Sequence, residues 1–295
     1  MLLRVTPVAI LALGLCASCG QPEATESAIE TDSTEHAETE PTIEEPVEPE
    51  IPALPPIHPP LQSNQAFLID FTQQEVGEGW YVADHDVPTG QWKNDFRASS
   101  VSFSEEGMDL SIQIKEDWAP DDWFWDASEV STNPTFHFGY YEVEMKVADG
   151  SGLVSAMFTY TGPFYGTVHD EVDIEFVGNR TGHVEFNVFR SGKSYGSKRH
   201  ELDFDASEEF HFYGFDWQPD YVHWYVNGEI VHRLDVPEHV PQLPSKIMMN
   251  MWTGSLPQWH GHAQFEPGAK AQYRCLSFSP GTEKTPTCRD RELGG

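Results

Sequence analysis

The chain has 295 residues, 39% of them hydrophobic, and carries 48 Asp and Glu against 17 Lys and Arg for a formal charge of −31. That length and apolar content suffice for one large β-sandwich core. So negative a charge argues against binding nucleic acid, which requires Lys and Arg to neutralise phosphates.

Residues 1–19 read as an export signal. Arg4 gives a positive start, and Val8 to Leu15 form an apolar run too short to span a bilayer. The run closes on Leu15-Cys16-Ala17-Ser18-Cys19, which resembles a bacterial lipoprotein cleavage box with Cys19 as the lipidated first residue of the mature chain. The expectation is a membrane-anchored lipoprotein facing outside the cytoplasm, with ordinary secretion as the alternative. Residues 20–63 are Glu, Thr, Ser and Pro with almost no large apolar residue, so they predict a disordered, self-repelling tether. With Cys16 removed and Cys19 lipidated, Cys275 and Cys288 remain. An oxidising compartment predicts their pairing, a bridge that ties down the C-terminal tail.

Order is expected over 64–295. Strand patterns with a period of two run through Phe67 to Phe71, Val101 to Phe103, Leu110-Ile112-Ile114, Tyr141 to Val147, Val172 to Phe176, Val184 to Val188 and Val222 to Val226. Turn signals separate them at Glu106-Gly107, Asp149-Gly150, Asn179 to Gly182 and Asn227-Gly228, the last a hairpin signal of type I′. Ala206 to Phe210 are expected to form one turn at most, and no ten-residue helical stripe occurs. The predicted fold is an antiparallel β-sandwich.

Within this pattern Glu171-Val172-Asp173-Ile174-Glu175 is unusual. On a strand its three carboxylates share one face. Like charges so close cannot all ionise cheaply, which raises at least one pKa and equips the group for proton donation near neutral pH. A solvated acidic face or a hard-cation site is the alternative for the motif alone. Nine Trp supply flat faces suited to sugar rings. Trp217 and Trp224 are expected in the core, whereas Trp80, Trp92, Trp118, Trp123, Trp125, Trp252 and Trp259 fall in loops or beside polar residues.

His169-Asp170-Glu171-Val172-Asp173-Ile174-Glu175-Phe176-Val177-Gly178-Asn179 resembles the signature of glycoside hydrolase family 16. Phe158 to Pro163, Phe204 to Ser207, Phe215 to Pro219 and Lys246 to Trp252 are similar to bacterial lichenases, the β-1,3-1,4-glucanases of that family. The resemblance implies a concanavalin A-like jelly roll with an open cleft. It implies Glu171 as nucleophile, Asp173 as helper and Glu175 as acid/base, in a retaining endo-β-glucanase cutting internal β-1,4 bonds. It also implies substrate contacts at Asn187, Phe189, Asn250, Trp252, Tyr160 and Glu129. His169 stands where lichenases carry Trp and resembles xyloglucan endotransglucosylase/hydrolases, so a cleft opened near the nucleophile is expected, or a ring that merely fills the space. The alternatives are a xyloglucan or β-1,4-glucan endohydrolase, a transglycosylase, or a non-catalytic lectin-like module. Arg274 replaces an aspartate that often holds structural calcium in the family, so that ion is not predicted, and no cofactor is expected. The expected partner is a polysaccharide, met by a monomer.

Overall fold

The computed structural model describes residues 62–87, 92–116 and 124–293. The export signal, Cys19, nearly all of the acidic tether, Trp118 and Trp123 lie outside them. Among the described residues, alternating apolar side chains give seventeen strands. They are β1 (Phe67–Asp70), β2 (Trp80–Val82), β3 (Asn94–Phe96), β4 (Val101–Ser104), β5 (Gly107–Ser111), β6 (Gln113–Ile114), β7 (Trp125–Thr132), β8 (Gly139–Lys146) and β9 (Leu153–Thr161). There follow β10 (Asp170–Val177), β11 (His183–Arg190), β12 (Lys193–Glu201), β13 (His211–Trp217), β14 (Val222–Val226), β15 (Glu229–Leu234), β16 (Lys246–Thr253) and β17 (Lys270–Pro280). Two short helices, α1 (Pro257–His260) and α2 (Cys288–Leu293), follow the last two strands of the sheets.

The strands form two sheets. One runs β15-β14-β13-β8-β17-β5-β4 with β1 added on β17, and the other runs β12-β11-β10-β9-β16-β7-β2 with β3 and β6 added on β7. Pairing is antiparallel except between β3 and β7, which run parallel. The core is the layer between the sheets, where Val172, Ile174 and Phe176 of β10 and Ile247, Met249 and Met251 of β16 meet Tyr213, Phe215 and Trp224. Trp217 and Trp224 are fully buried there. Two side chains of the first sheet also bond the backbone of the second: Trp224 Nε1 donates to the Asp173 carbonyl at 3.0 Å, and the Tyr273 hydroxyl donates to the Ala156 carbonyl at 2.9 Å.

Local features follow the chain's own signals. Asn227 and Gly228, at φ 49° and 84°, turn β14 into β15, as a type I′ hairpin demands of its two central residues. The stretch expected as one strand through Leu110, Ile112 and Ile114 is instead split. Ile112 donates to Ala269 and accepts from Gly268, which carries the chain from one sheet to the other between β5 and β6. Ala206 to Glu208 form a turn and no helix.

A C-terminal latch closes the outer face of β8. Glu142 and Glu144 are buried on that strand, and Arg289 Nε of α2 lies 2.8 Å from Glu142 while the Arg291 guanidinium bonds Glu144. Cys275 and Cys288 form a disulfide with Cα atoms 5.7 Å apart, which staples α2 to β17. A loop of this size restricts the unfolded chain by about 3 kcal/mol. Cys288→Ser is therefore expected to lower stability by roughly that amount in denaturant melts and to leave kcat within twofold, because the latch is on the sheet face away from the carboxylates.

Candidate active site

Register across the second sheet turns three strand residues into three rows of side chains. Lys246, Tyr160, Glu171, Phe189 and Ser194 pair across β16, β9, β10, β11 and β12. Ser131, Met248, Phe158, Asp173 and Asn187 form the next row, from β7 to β11. Glu129, Asn250, Ala156, Glu175, Glu185 and Arg199 form the third. Neighbours in a row stand about 4.8 Å apart and rows about 6.6 Å apart, so Asp173 lies between the two glutamates.

Above these rows is a cleft of about 950 Å³ whose lining includes Glu171, Glu175, Glu129, Tyr160, His169, Asn250 and Trp252. Seven of the expected site residues thus meet in one place. Asp173, only 2% exposed, lies beneath them. Asn187 and Phe189 share the face without lining the cleft. The Phe189 ring backs His169 at 4.5 Å and 18°, and Asn187 Oδ1 accepts from Ser194 at 2.8 Å. Trp252 lines the cleft while only 2% exposed, with Trp92 covering it edge-on at 4.4 Å.

The three carboxylates differ in their surroundings. Burial raises the pKa of Glu171, a hydrogen bond from Asp173 pulls it back down, and the charge of Glu175 raises it again. Burial, then the Glu171 charge, then the same hydrogen bond hold Asp173 well above the usual carboxylate range. A bond that lowers one partner and raises the other has Asp173 as the protonated donor and Glu171 as the ionised acceptor. Glu175 is held well above its ordinary value by burial, then by Asp173, then by Glu185. On balance Glu171 is raised to about 8, and it is the one carboxyl of the three whose ionised form the neighbouring hydrogen bond favours.

His169 completes that arrangement. Burial lowers its pKa, and its Nε2 contacts Glu171 Oε2. A neutral ring protonated at Nε2 donates to the carboxylate and favours its ionised form. The ring packs between Phe189 and Tyr160, so the cleft is not opened at this point as its replacement of an indole suggested. Next to it Asp170, fully buried, accepts from the backbone of Ser191, Gln242 and Leu243 and from Arg190, which fixes the start of β10.

Sequence reasoning missed several lining residues. Lys246, Met248 and Phe158 alternate with the named Asn250, Trp252 and Tyr160, so period two alone places them on the same face. Lys246 Nζ lies 5.3 Å from the Tyr165 ring centre, and burial lowers its pKa against the pull of Glu129. Glu129, which accepts from Asn250 Nδ2 at 3.2 Å, is raised by burial to about 7. Below pH 4.5 this carboxyl is protonated folded or unfolded; above it the unfolded chain ionises first, so stability falls as pH climbs to about 7. The loss is about 3 kcal/mol at most. Glu129→Gln is expected to raise Tm at pH 8 more than at pH 4 in parallel thermal melts.

At the position the resemblance links to calcium, the Arg274 guanidinium lies 3.7 Å from the Phe210 ring centre and 2.9 Å from Glu106. Among the described residues no group of three His, Cys, Asp or Glu is arranged to hold a metal ion.

Opposed carboxylates beneath an aromatic-walled groove on a jelly-roll sheet are the equipment of a glycoside hydrolase. The family model for glycosyl hydrolases family 16 matches residues 89–274, and the chain belongs to that family. The β-glucanase of Paenibacillus polymyxa is 42% identical over 68% of this chain and 82% of its own length. That of Acetivibrio thermocellus is 39% identical over 63% of this chain, which spans 54% of that protein. A β-1,3-1,4-glucanase (lichenase) structure from a mouse hindgut metagenome superposes with a TM-score of 0.69 at 34% identity, over 73% of this chain and 99% of that one. These relatives are enzymes, and the lectin alternative finds no support in them.

Proposed function

We propose that this protein is a retaining endo-β-glucanase that hydrolyses internal β-1,4 bonds of mixed-linkage β-1,3-1,4-glucan. The observation that carries the proposal is the placement of Glu171 and Glu175 on one face of β10, both lining one groove with Asp173 between them, and Glu175 held well above its ordinary pKa. In the first step Glu171 attacks the anomeric carbon while Glu175 gives its proton to the departing glycosidic oxygen, leaving a glycosyl ester on Glu171. Glu175, now a carboxylate, then takes a proton from water, which opens the ester and restores both groups. Two inversions retain the anomeric configuration. Asp173 supports the cycle by sharing its proton with Glu171.

The substrate assignment leans on the lichenase and β-glucanase names of the relatives and on the open groove, which admits a chain along its length. Asn250 Oδ1 is buried without a protein partner among the described residues and is suited to accept from a sugar hydroxyl. The reading extends to an exported monomer that needs no cofactor, held to a membrane through Cys19.

The test incubates the purified protein with barley glucan, lichenan, laminarin and xyloglucan and follows product size and anomeric proton signals. Mixed-linkage glucans are expected to shorten rapidly into oligosaccharides with β reducing ends, and laminarin to stay intact. Products longer than the substrate at high acceptor concentration reassign the protein as a transglycosylase. Initial α products sink the retaining mechanism.

A further inference from the structure

The residue opposite Glu175 on β11 is another acid. Glu175 and Glu185 are register partners, so their side chains stand side by side on the cleft face. Glu185 in turn pairs with Arg199 on β12. Arg199 Nε and Nη2 reach Glu185 Oε1 at 3.0 and 2.9 Å, and Arg180 Nη2 reaches the same oxygen at 3.3 Å. Arg180 is itself held by the Trp259 carbonyl at 2.9 Å, and its Nε is buried without a partner among the described residues. Two guanidinium groups thus converge on one carboxylate oxygen in charge-assisted pairs.

We propose that Glu185 is a positioning residue that keeps the catalytic proton on Glu175 and holds Arg180 and Arg199 away from it. This rests on the reading of Glu175 as the acid/base. The charge balance around Glu175 makes the role specific. Its own strand presents Asp173 and Glu171, the turn between β10 and β11 presents Arg180, β11 Glu185 and His183, β12 Arg199 and the far side of the groove Glu129, whereas Ala156 and Asn250 between them do not titrate. Glu185 is thus the anion beside Glu175 and also the partner of both nearby arginines. Without its charge, two cations face Glu175 and favour its carboxylate, the form unable to protonate a leaving oxygen.

The experiment measures kcat/KM against pH on mixed-linkage glucan for the parent, Glu185→Gln, Arg199→Gln and Glu175→Gln, with folding checked by thermal melts. Glu185→Gln is expected to move the alkaline limb down by about one pH unit, a roughly tenfold loss on that side. Arg199→Gln, which unmasks the Glu185 charge, is expected to move it up. On an aryl β-cello-oligosaccharide whose leaving group needs no proton, Glu185→Gln is expected to match the parent. Limbs that stay in place, or shift the same way in both variants, overturn the proposal while an inactive Glu175→Gln leaves the acid/base reading standing. Parental activity in Glu175→Gln sinks both.

Discussion

Replacing Glu171 by Gln is expected to lower kcat on mixed-linkage glucan on the order of 10⁴-fold or more with little change in Tm. Gln matches Glu in volume and still accepts the hydrogen bond from Asp173, so the groove keeps its shape while the nucleophile is gone. Its removal also takes away the carboxyl that, once ionised, supports a developing positive charge at the anomeric carbon. Stability is expected to hold or rise slightly at pH 8, because Glu171 is among the carboxyls that burial holds above their ordinary value. The sharper test is stereochemical. With an activated aryl glycoside and added azide, Glu171→Ala should give the azide of inverted configuration through one displacement. Glu175→Ala, still able to form the ester, should give the retained azide. If both variants give the same anomer, the roles assigned to the two glutamates are wrong.

Much of this site was legible in the sequence because strand geometry is periodic. Once Glu171, Asp173 and Glu175 are read as one face of β10, their neighbours follow from alternation on any strand known to pair with it. The same rule would have added Phe158, Met248 and Lys246. What alternation cannot supply is which strands meet. Glu185 is an ordinary acid in the sequence and gains its role only through register with Glu175 and Arg199. Trp92 covers Trp252 from 160 positions upstream, and the parallel pairing of β3 with β7 has no local signal at all. Trp80 and Trp125 sit on strands, where polar neighbours obscured the pattern. The C-terminal latch combines both cases: the cysteine pair was readable by elimination, but the buried Glu142 and Glu144 that Arg289 and Arg291 satisfy were not.

Trp224→Ala should be the most destabilising single change that touches no residue of the groove, at about 3 to 5 kcal/mol. The indole is fully buried on β14, stacked on Phe186 at 5.5 Å and on His232 at 5.1 Å, and Nε1 bonds the Asp173 carbonyl. Deleting it leaves a cavity between the sheets directly beneath the carboxylates and removes a support of the strand that carries them. Trp224→Phe separates the two contributions. It keeps most of the volume and loses the N–H donor, for about 1 kcal/mol. For a domain of this size 1 kcal/mol corresponds to roughly 2 to 4 °C, so the two variants should differ by several degrees in Tm. Activity at 20 °C, where both remain folded, adds the functional half of the argument. A displacement of Asp173 by a fraction of an ångström alters the hydrogen bond that lowers the Glu171 pKa, so kcat should fall on the order of tenfold or more in Trp224→Ala and much less in Trp224→Phe. Equal losses of stability in the two variants would mean that the N–H, and not the packing, couples the outer sheet to the catalytic strand.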